Sequence, residues 1–256
     1  MKIAFCFLTY NEIIRYDIWN MFFENIDEKL YTVFIHPKNL QQFNNYTFKY
    51  NIIKNRIKTE KKDDINIVKA TLRLLEETYN SENSTHFIFL TQSCIPLYSF
   101  NILYKIITQF PLSIISYIDN NKKDRYYQLS SIMKKYIHPI NFVKQQPNMI
   151  LTNNDVKLLI SNDLTEHFRY MQCPDEHYFV NILPNILKKK FIKKQTHFCN
   201  HDLQKTQALE YDIINKHFID NMRKYGFLFM RKVTIKSNID IEILFNSGTI
   251  CSKPEL

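Results

Sequence analysis

Glycine is almost missing from this sequence, with two residues in 256. A GxGxxG turn needs three glycines, and the two present, Gly226 and Gly248, stand too far apart for a GxxxxGK[ST] loop, which disfavours dinucleotide sites and kinase-like ATP sites. Cysteine is sparse and scattered. Cys6, Cys94, Cys173, Cys199 and Cys251 show no CxxC spacing and no paired histidines, so no structural zinc is expected. Cys6 and Cys94 lie in apolar, strand-like sequence and read as buried thiols. Cys173 and Cys199 could pair, yet an odd, dispersed set fits a reducing compartment better. No apolar run reaches the length of a membrane span, and Met1 to Leu8 lacks the cleavable h-region of a signal peptide. A soluble, cytoplasmic chain is expected, with room for peripheral membrane contact. No Gly-x-Ser-x-Gly or catalytic cysteine motif occurs. Repeats, Pro/Gly/Ser-rich linkers and low-complexity tails are missing too.

The chain is rich in apolar residues (45%) and aromatics (14%), enough for one large domain with a sizeable core. The abundance of Asn, Lys and Ile reads as the coding bias of an AT-rich genome. The formal net charge of +9 favours anionic partners. Its densest knot, Lys188-Lys189-Lys190 with Lys193-Lys194, reads first as a solvated face. No helix-turn-helix, zinc-finger or RNA-binding signature accompanies it, so no nucleic acid is expected as partner.

Along the chain, 2–9 is a continuous apolar run of the kind buried on both faces of a parallel sheet. Helical spacing follows at 13–26 and a second strand at 31–36, stopped by Pro37. Strand, helix and strand predict a parallel pair with a right-handed crossover, and hence loops sharing one ligand-binding edge. The polar stretch 41–62 is irregular, with a short strand at 50–53. A helix at 64–79 capped by Asp63 or Asp64, a strand at 85–90, a helix at 100–109 and a strand at 113–118 follow. Then come a charged loop at 120–125, short strands at 140–143 and 149–152, and a helix at 154–161. A helix from Pro174 to about Leu187, a strand at 190–197 and a helix at 212–225 stopped by Gly226 complete the pattern. The fold class predicted is α/β: one domain over 1–256, with a nucleotide-sugar-type half (1–118) and an acceptor or catalytic half (119–256).

Cys173-Pro174-Asp175-Glu176-His177-Tyr178-Phe179 stands out, with two adjacent carboxylates and a histidine at a helix start. A carboxylate fixed there could be a general base. Equally, Pro followed by acidic residues suits a helix N-terminus and its dipole. The strand at 87–90 exits into Thr91-Gln92-Ser93-Cys94 with no carboxylate, so no Asp-x-Asp pair is available to hold a divalent metal at a diphosphate. Lys or Arg would have to supply the positive charge. Arg231-Lys232, after the apolar 227–230, is one candidate and equally an ordinary basic strand end.

Several stretches together resemble the core 2/I-branching β-1,6-N-acetylglucosaminyltransferases (glycosyltransferase family 14), which include the peptide O-xylosyltransferases. The closer likeness is to the plant branch. The stretches are Ile3-Ala4-Phe5-Cys6-Phe7-Leu8-Thr9, Trp19 with Phe22-Phe23, Val33-Phe34-Ile35-His36, Val68-Lys69-Ala70 into Arg73-Leu74-Leu75, Phe87 to Leu97, Pro174 to Phe179, and Phe227 to Lys232. They fall in the family's order and spacing. The resemblance implies a GT-A-like (Rossmann-like) fold, mostly parallel, and inverting transfer without metal or other cofactor. It implies a UDP-sugar donor (UDP-N-acetylglucosamine, with UDP-xylose as alternative) and a glycan or glycoprotein acceptor. A non-catalytic glycan- or nucleotide-binding module is the other reading. Glu176 falls on the family's base and Lys232 on its diphosphate-binding cation, with Arg231 beside it and Lys205 as the nearest match for a second. Thr9, Asn11 and His36 fall on the nucleotide side. Ser93, Cys94, Asp119, Arg125 and Asp175 fall on the donor or acceptor sugar side, Asp175 also serving the helix N-terminus. Lys38 stands where vertebrate members carry Asp. The disulfides and the Golgi-type membrane anchor of secretory members have no counterpart.

Overall fold

A computed structural model of the chain describes residues 1–40, 46–60, 64–119, 123–200 and 208–246, apart from the side chains at 119, 123 and 246. Lys205, Cys251, Asp63 and parts of the stretches expected at 41–62 and 120–125 lie outside the described residues. The first half alternates β1 (Ile3–Thr9), α1 (Tyr16–Phe23), β2 (Tyr31–Pro37), β3 (Asn51–Ile52), α2 (Ile65–Ser81), β4 (His86–Thr91), β5 (Ile95–Pro96), α3 (Phe100–Ile107) and β6 (Ile114–Asp119). The second half adds α4 (Lys123–Tyr127), α5 (Ser131–Tyr136), β7 (Val143–Thr152), α6 (Asn153–Ser161), α7 (Tyr178–Asn185), β8 (Ile192–Lys193) and β9 (His197–Phe198). It ends with β10 (Tyr211–Ile214), α8 (Lys216–Lys224), β11 (Phe229–Met230), β12 (Val233–Ile239) and α9 (Ile241–Asn246).

Seven strands form the central sheet in the order β3-β2-β1-β4-β7-β6-β8. All neighbours are parallel except those of β7, which runs against both β4 and β6. This mostly parallel, helix-flanked sheet is the GT-A-like α/β class expected, and both halves of the chain contribute strands to it. Along β1 the alternation of a strand separates two cores. Ile3, Phe5 and Phe7 pack with Trp19, Phe22, Phe23 and Phe100 on one face. Ala4 and Cys6 pack with Val68, Leu72 and Leu75 of α2 on the other. Burial on both faces explains the unbroken apolar run.

Local signals place several ends. Asp64 caps α2, its carboxylate accepting from Asn66 N. Gly226 (φ +77°) closes α8: its N–H donates to Arg223 O, and Phe227 N to Met222 O, the paired bonds of a left-handed helix terminus.

Six expectations change. Of the strand expected at 140–143 only Val143 is strand, since 139–141 is a 3-10 turn, and from there a single strand, β7, runs through 149–152 because β4 and β6 pair along its length. The last three residues of the loop expected at 120–125 belong to the helix α4 (Lys123–Tyr127). The helix expected from Pro174 is broken: 174–176 is a 3-10 turn entered through a left-handed Cys173 (φ 50°), and α7 begins only at Tyr178. Asp175 therefore does not cap α7, whose N-cap is His177 without a side-chain cap bond. The strand expected at 190–197 is divided between β8 in the central sheet and β9 in a three-stranded one. The helix expected at 212–225 loses its start to β10, which pairs with β12, and α8 begins after Asn215, whose side chain accepts from Phe218 N. Neither β12 nor α9 was marked by local periodicity. Cys173 and Cys199 are not bridged to each other. Among the described residues no helix is long and apolar enough to cross a membrane.

Candidate active site

β1, β2, β4 and β6 run the same way, so their carboxyl ends emerge at one edge of the sheet. β7, running oppositely, starts there. Ligands of open α/β sheets bind at such an edge. Its loops are stitched together. Lys38 N donates to Thr9 O (2.8 Å) and Asn39 N to Tyr10 O (2.9 Å), joining the exits of β1 and β2. Tyr10 N donates to Gln92 Oε1 (2.6 Å), and Ile14 N to Gln92 O (2.9 Å), joining β1 to β4. Thr9 Oγ1 turns back onto Asn11 O, and Asn11 Oδ1 accepts from Asn39 Nδ2. Lys38 lays its ammonium 4.8 Å from the centre of the Tyr10 ring. His36 is fully buried, and its Nε2 accepts from Ile57 N at 3.0 Å. Its imidazole thus braces the chain after β3 rather than facing the edge.

A small sheet, β5-β11-β9, carries the basic pair to the β4 exit. Arg231 N donates to Phe198 O (2.9 Å) and Val233 N to Ser93 O (3.0 Å), which fixes Lys232 beside the Thr91–Cys94 turn. Burial raises the pKa of the Cys94 and Cys199 thiols, while the positive charge of Arg231 opposes the rise at both. Arg231 Nε is buried with no hydrogen-bond partner among the described residues. Lys232 Nζ is 4.0 Å from Glu210 Oε1. Ser93 and Cys94 are themselves buried. The Cys94 sulfur lies against Thr91 Oγ1 at 3.3 Å, and its carbonyl accepts from Trp19 Nε1 at 3.0 Å. Their side chains shape the turn from within.

Glu176 reaches the same edge from the 3-10 turn before α7. Its Oε2 accepts from Arg125 Nη1 at 2.8 Å and lies 3.2 Å from Lys144 Nζ. No hydrogen bond reaches its Oε1 from the described residues. Its side chain is 23% exposed, so it remains accessible. Arg125 Nη1 is also 3.2 Å from His177 Nε2. A guanidinium only donates, so Nε2 accepts and the proton sits on Nδ1, which donates to Val143 O at 3.0 Å. Burial pushes the pKa of this fully buried imidazole down to about 4; the Val143 carbonyl opposes the fall and Arg125 adds to it. Asn181 ties the strand to the helix, accepting from Val143 N (3.0 Å) and donating to Val143 O (2.8 Å) and His177 O (2.7 Å).

The edge therefore brings together Glu176 and Arg125 in direct contact, and Thr9, Asn11, Ser93, Cys94, Arg231 and Lys232 around the loops. Asp175 sits half-buried next to Glu176 in the turn. Asp119 ends β6 opposite Val143, and its side chain lies outside the described residues, as does Lys205. Lys144, Gln145 and Asn181 escaped the sequence reading, and His177 stood in its motif there without a role. Only the β6–β7 register, which sets Lys144 opposite Ile118, could have flagged Lys144. Among the described residues no three His, Cys, Asp or Glu side chains gather as a metal site.

A model of the Core-2/I-Branching enzyme family matches residues 3–223. The chain belongs to that family. Among curated proteins it is similar to Glycosyltransferase BC10 of Oryza sativa subsp. japonica, 24% identical over 166 residues. That match covers 63% of this chain and 41% of the rice protein, so the chain spans well under two thirds of that relative's length. Among solved structures, mouse xyloside xylosyltransferase 1 is similar over 93% of this chain and 100% of its own, at 7% identity and a TM-score of 0.44. The WbbM bifunctional glycosyltransferase is similar over 77% of this chain and 40% of its own, at 10% identity and a TM-score of 0.42.

Proposed function

We propose that this chain is an inverting glycosyltransferase that works without a metal, moving a sugar from a UDP-sugar to a hydroxyl of a glycan or glycoprotein. The observation that carries the reading is Glu176. It is a partly exposed carboxylate at the ligand-binding edge, anchored through Oε2 by two cations, with Oε1 left for a substrate proton. In the proposed step the acceptor oxygen forms its bond to the anomeric carbon and gives its proton to Glu176. The bond from that carbon to the diphosphate oxygen breaks, and UDP leaves with the electron pair. Lys232, with Arg231 beside it, neutralises the departing diphosphate. The β4 exit offers no carboxylate for a metal, so these cations take that part. N-acetylglucosamine is the proposed sugar and xylose the alternative, both resting on family membership.

UDP, UDP-N-acetylglucosamine and UDP-xylose are to be screened by thermal shift and by UDP release, with and without EDTA. Selective stabilisation by UDP and one UDP-sugar, with acceptor-dependent UDP release insensitive to EDTA, is expected. UDP binding without turnover of any donor would favour a non-catalytic module, a reading that Lys38 at the nucleotide-side edge keeps open.

A further inference from the structure

We infer that His177 is a positioning residue, a neutral acceptor that aims Arg125 at Glu176 and thereby fixes the proposed base. This rests on the reading of Glu176 given above. Arg125 Nη1 is shared between Glu176 Oε2 (2.8 Å) and His177 Nε2 (3.2 Å). The imidazole cannot turn away. It stacks on Phe142 with ring centres 4.8 Å apart and planes 13° from parallel, and its Nδ1–H is held by Val143 O. Asn181 clamps both backbone groups of Val143 and the carbonyl of His177, while Val180 N donates to Gln145 Oε1 at 2.8 Å. The start of β7, which carries Lys144, and the first turn of α7 are therefore one hydrogen-bonded unit. Both cations on Glu176 take their position from it.

The residue type matters. A carboxylate at 177 would neutralise Arg125 and compete with Glu176 for it. A lysine would repel it, and an apolar ring would pack equally well but remove this contact to the guanidinium. A neutral nitrogen acceptor restrains Arg125 without consuming its charge.

His177→Phe keeps the ring on Phe142 and removes both nitrogens; His177→Gln returns an acceptor at similar reach. His177→Phe is expected to lower kcat on the order of ten- to a hundred-fold, the cost of a misplaced catalytic group. The donor KM should change little, and His177→Gln should recover part of the loss. In an Arg125→Gln background His177→Phe should cost nothing further, because the two act through one contact. The imidazole nitrogen resonances of the wild-type chain should show the neutral Nδ1–H form at neutral pH, and Arg125→Gln should move the Nε2 resonance. Wild-type kcat in a folded His177→Phe variant, or independent losses in the double variant, overturns the inference. If His177→Phe does not fold, the same cycle with His177→Gln and the nitrogen resonances decide it. An active Glu176→Gln variant sinks the base assignment instead; an inactive one beside a fully active His177→Phe sinks only the positioning role.

Discussion

Lys144 Nζ lies 3.2 Å from Glu176 Oε2, so the carboxylate is gripped from the strand side as well as by Arg125 from α4. Ion pairs with side chains 19–34% exposed contribute about 1 kcal/mol or less to stability. Their consequence is geometric. One oxygen is fixed, and in the proposed step the other takes the proton.

Glu176→Gln keeps the shape and hydrogen-bonding reach of the side chain and removes its capacity to take a proton. Transfer should fall by roughly 10²–10⁴, with UDP binding by calorimetry essentially unchanged. Near-normal turnover would remove Glu176 from the role of base.

Lys232→Ala should lower kcat by roughly 10²–10³, the usual cost of losing one group that stabilises transition-state charge. Its side chain is 30% exposed and its ammonium comes no closer than 4.0 Å to Glu210, so the melting temperature should barely move. Unchanged kcat/KM would show that the diphosphate is neutralised elsewhere.

EDTA should leave transfer rates as they are, since the proposed step neutralises the diphosphate with lysine and arginine. Strict dependence on added manganese would contradict the proposed metal-free step.

Trp19→Phe should destabilise the fold by about 1–3 kcal/mol. Trp19 is fully buried and its Nε1–H satisfies Cys94 O at the β4 exit; phenylalanine leaves that carbonyl without a donor. Trp19→Ala adds a cavity and should cost about 3–5 kcal/mol. Urea midpoints measure both, and equal stability of Trp19→Phe and wild type would deny the bond any weight.

Burial holds both His36 and His177 at a pKa of about 4, against 6.5 for a free histidine. Between those values the unfolded chain binds more protons than the folded one, so stability should fall as pH drops from about 6.5 towards 4 and level off above. His177→Phe should flatten part of that slope. A urea midpoint constant across the window would show that both imidazoles titrate normally.

The frame of the fold is legible locally. The apolar runs of β1, β2 and β4 identify themselves because both faces of a central parallel strand are buried, and Asp64 and Gly226 mark helix ends through their own backbone chemistry. The basic residues after β11 and the carboxylates after Pro174 are visible as residue types. Less regular elements are not legible. β7 hides as two fragments, since Lys144, Gln145 and Gln146 interrupt its apolar pattern, and the first turn of the motif at Pro174 reads as helix until His177 breaks it.

What the amino-acid order determines alone is therefore the sheet-and-helix frame and the candidate chemistry at Glu176 and Lys232. The tertiary structure decides which partners that chemistry has. Arg125 is 51 residues from Glu176 in sequence and reaches it only because α4 and the 3-10 turn meet over the start of β7. The proton on His177 sits on Nδ1 because Arg125 can only donate to its other nitrogen. Local propensity acts over a few residues, whereas an ion pair or a tautomer is set by whatever the fold brings within about 3 Å, and hydrogen bonds are that short-ranged.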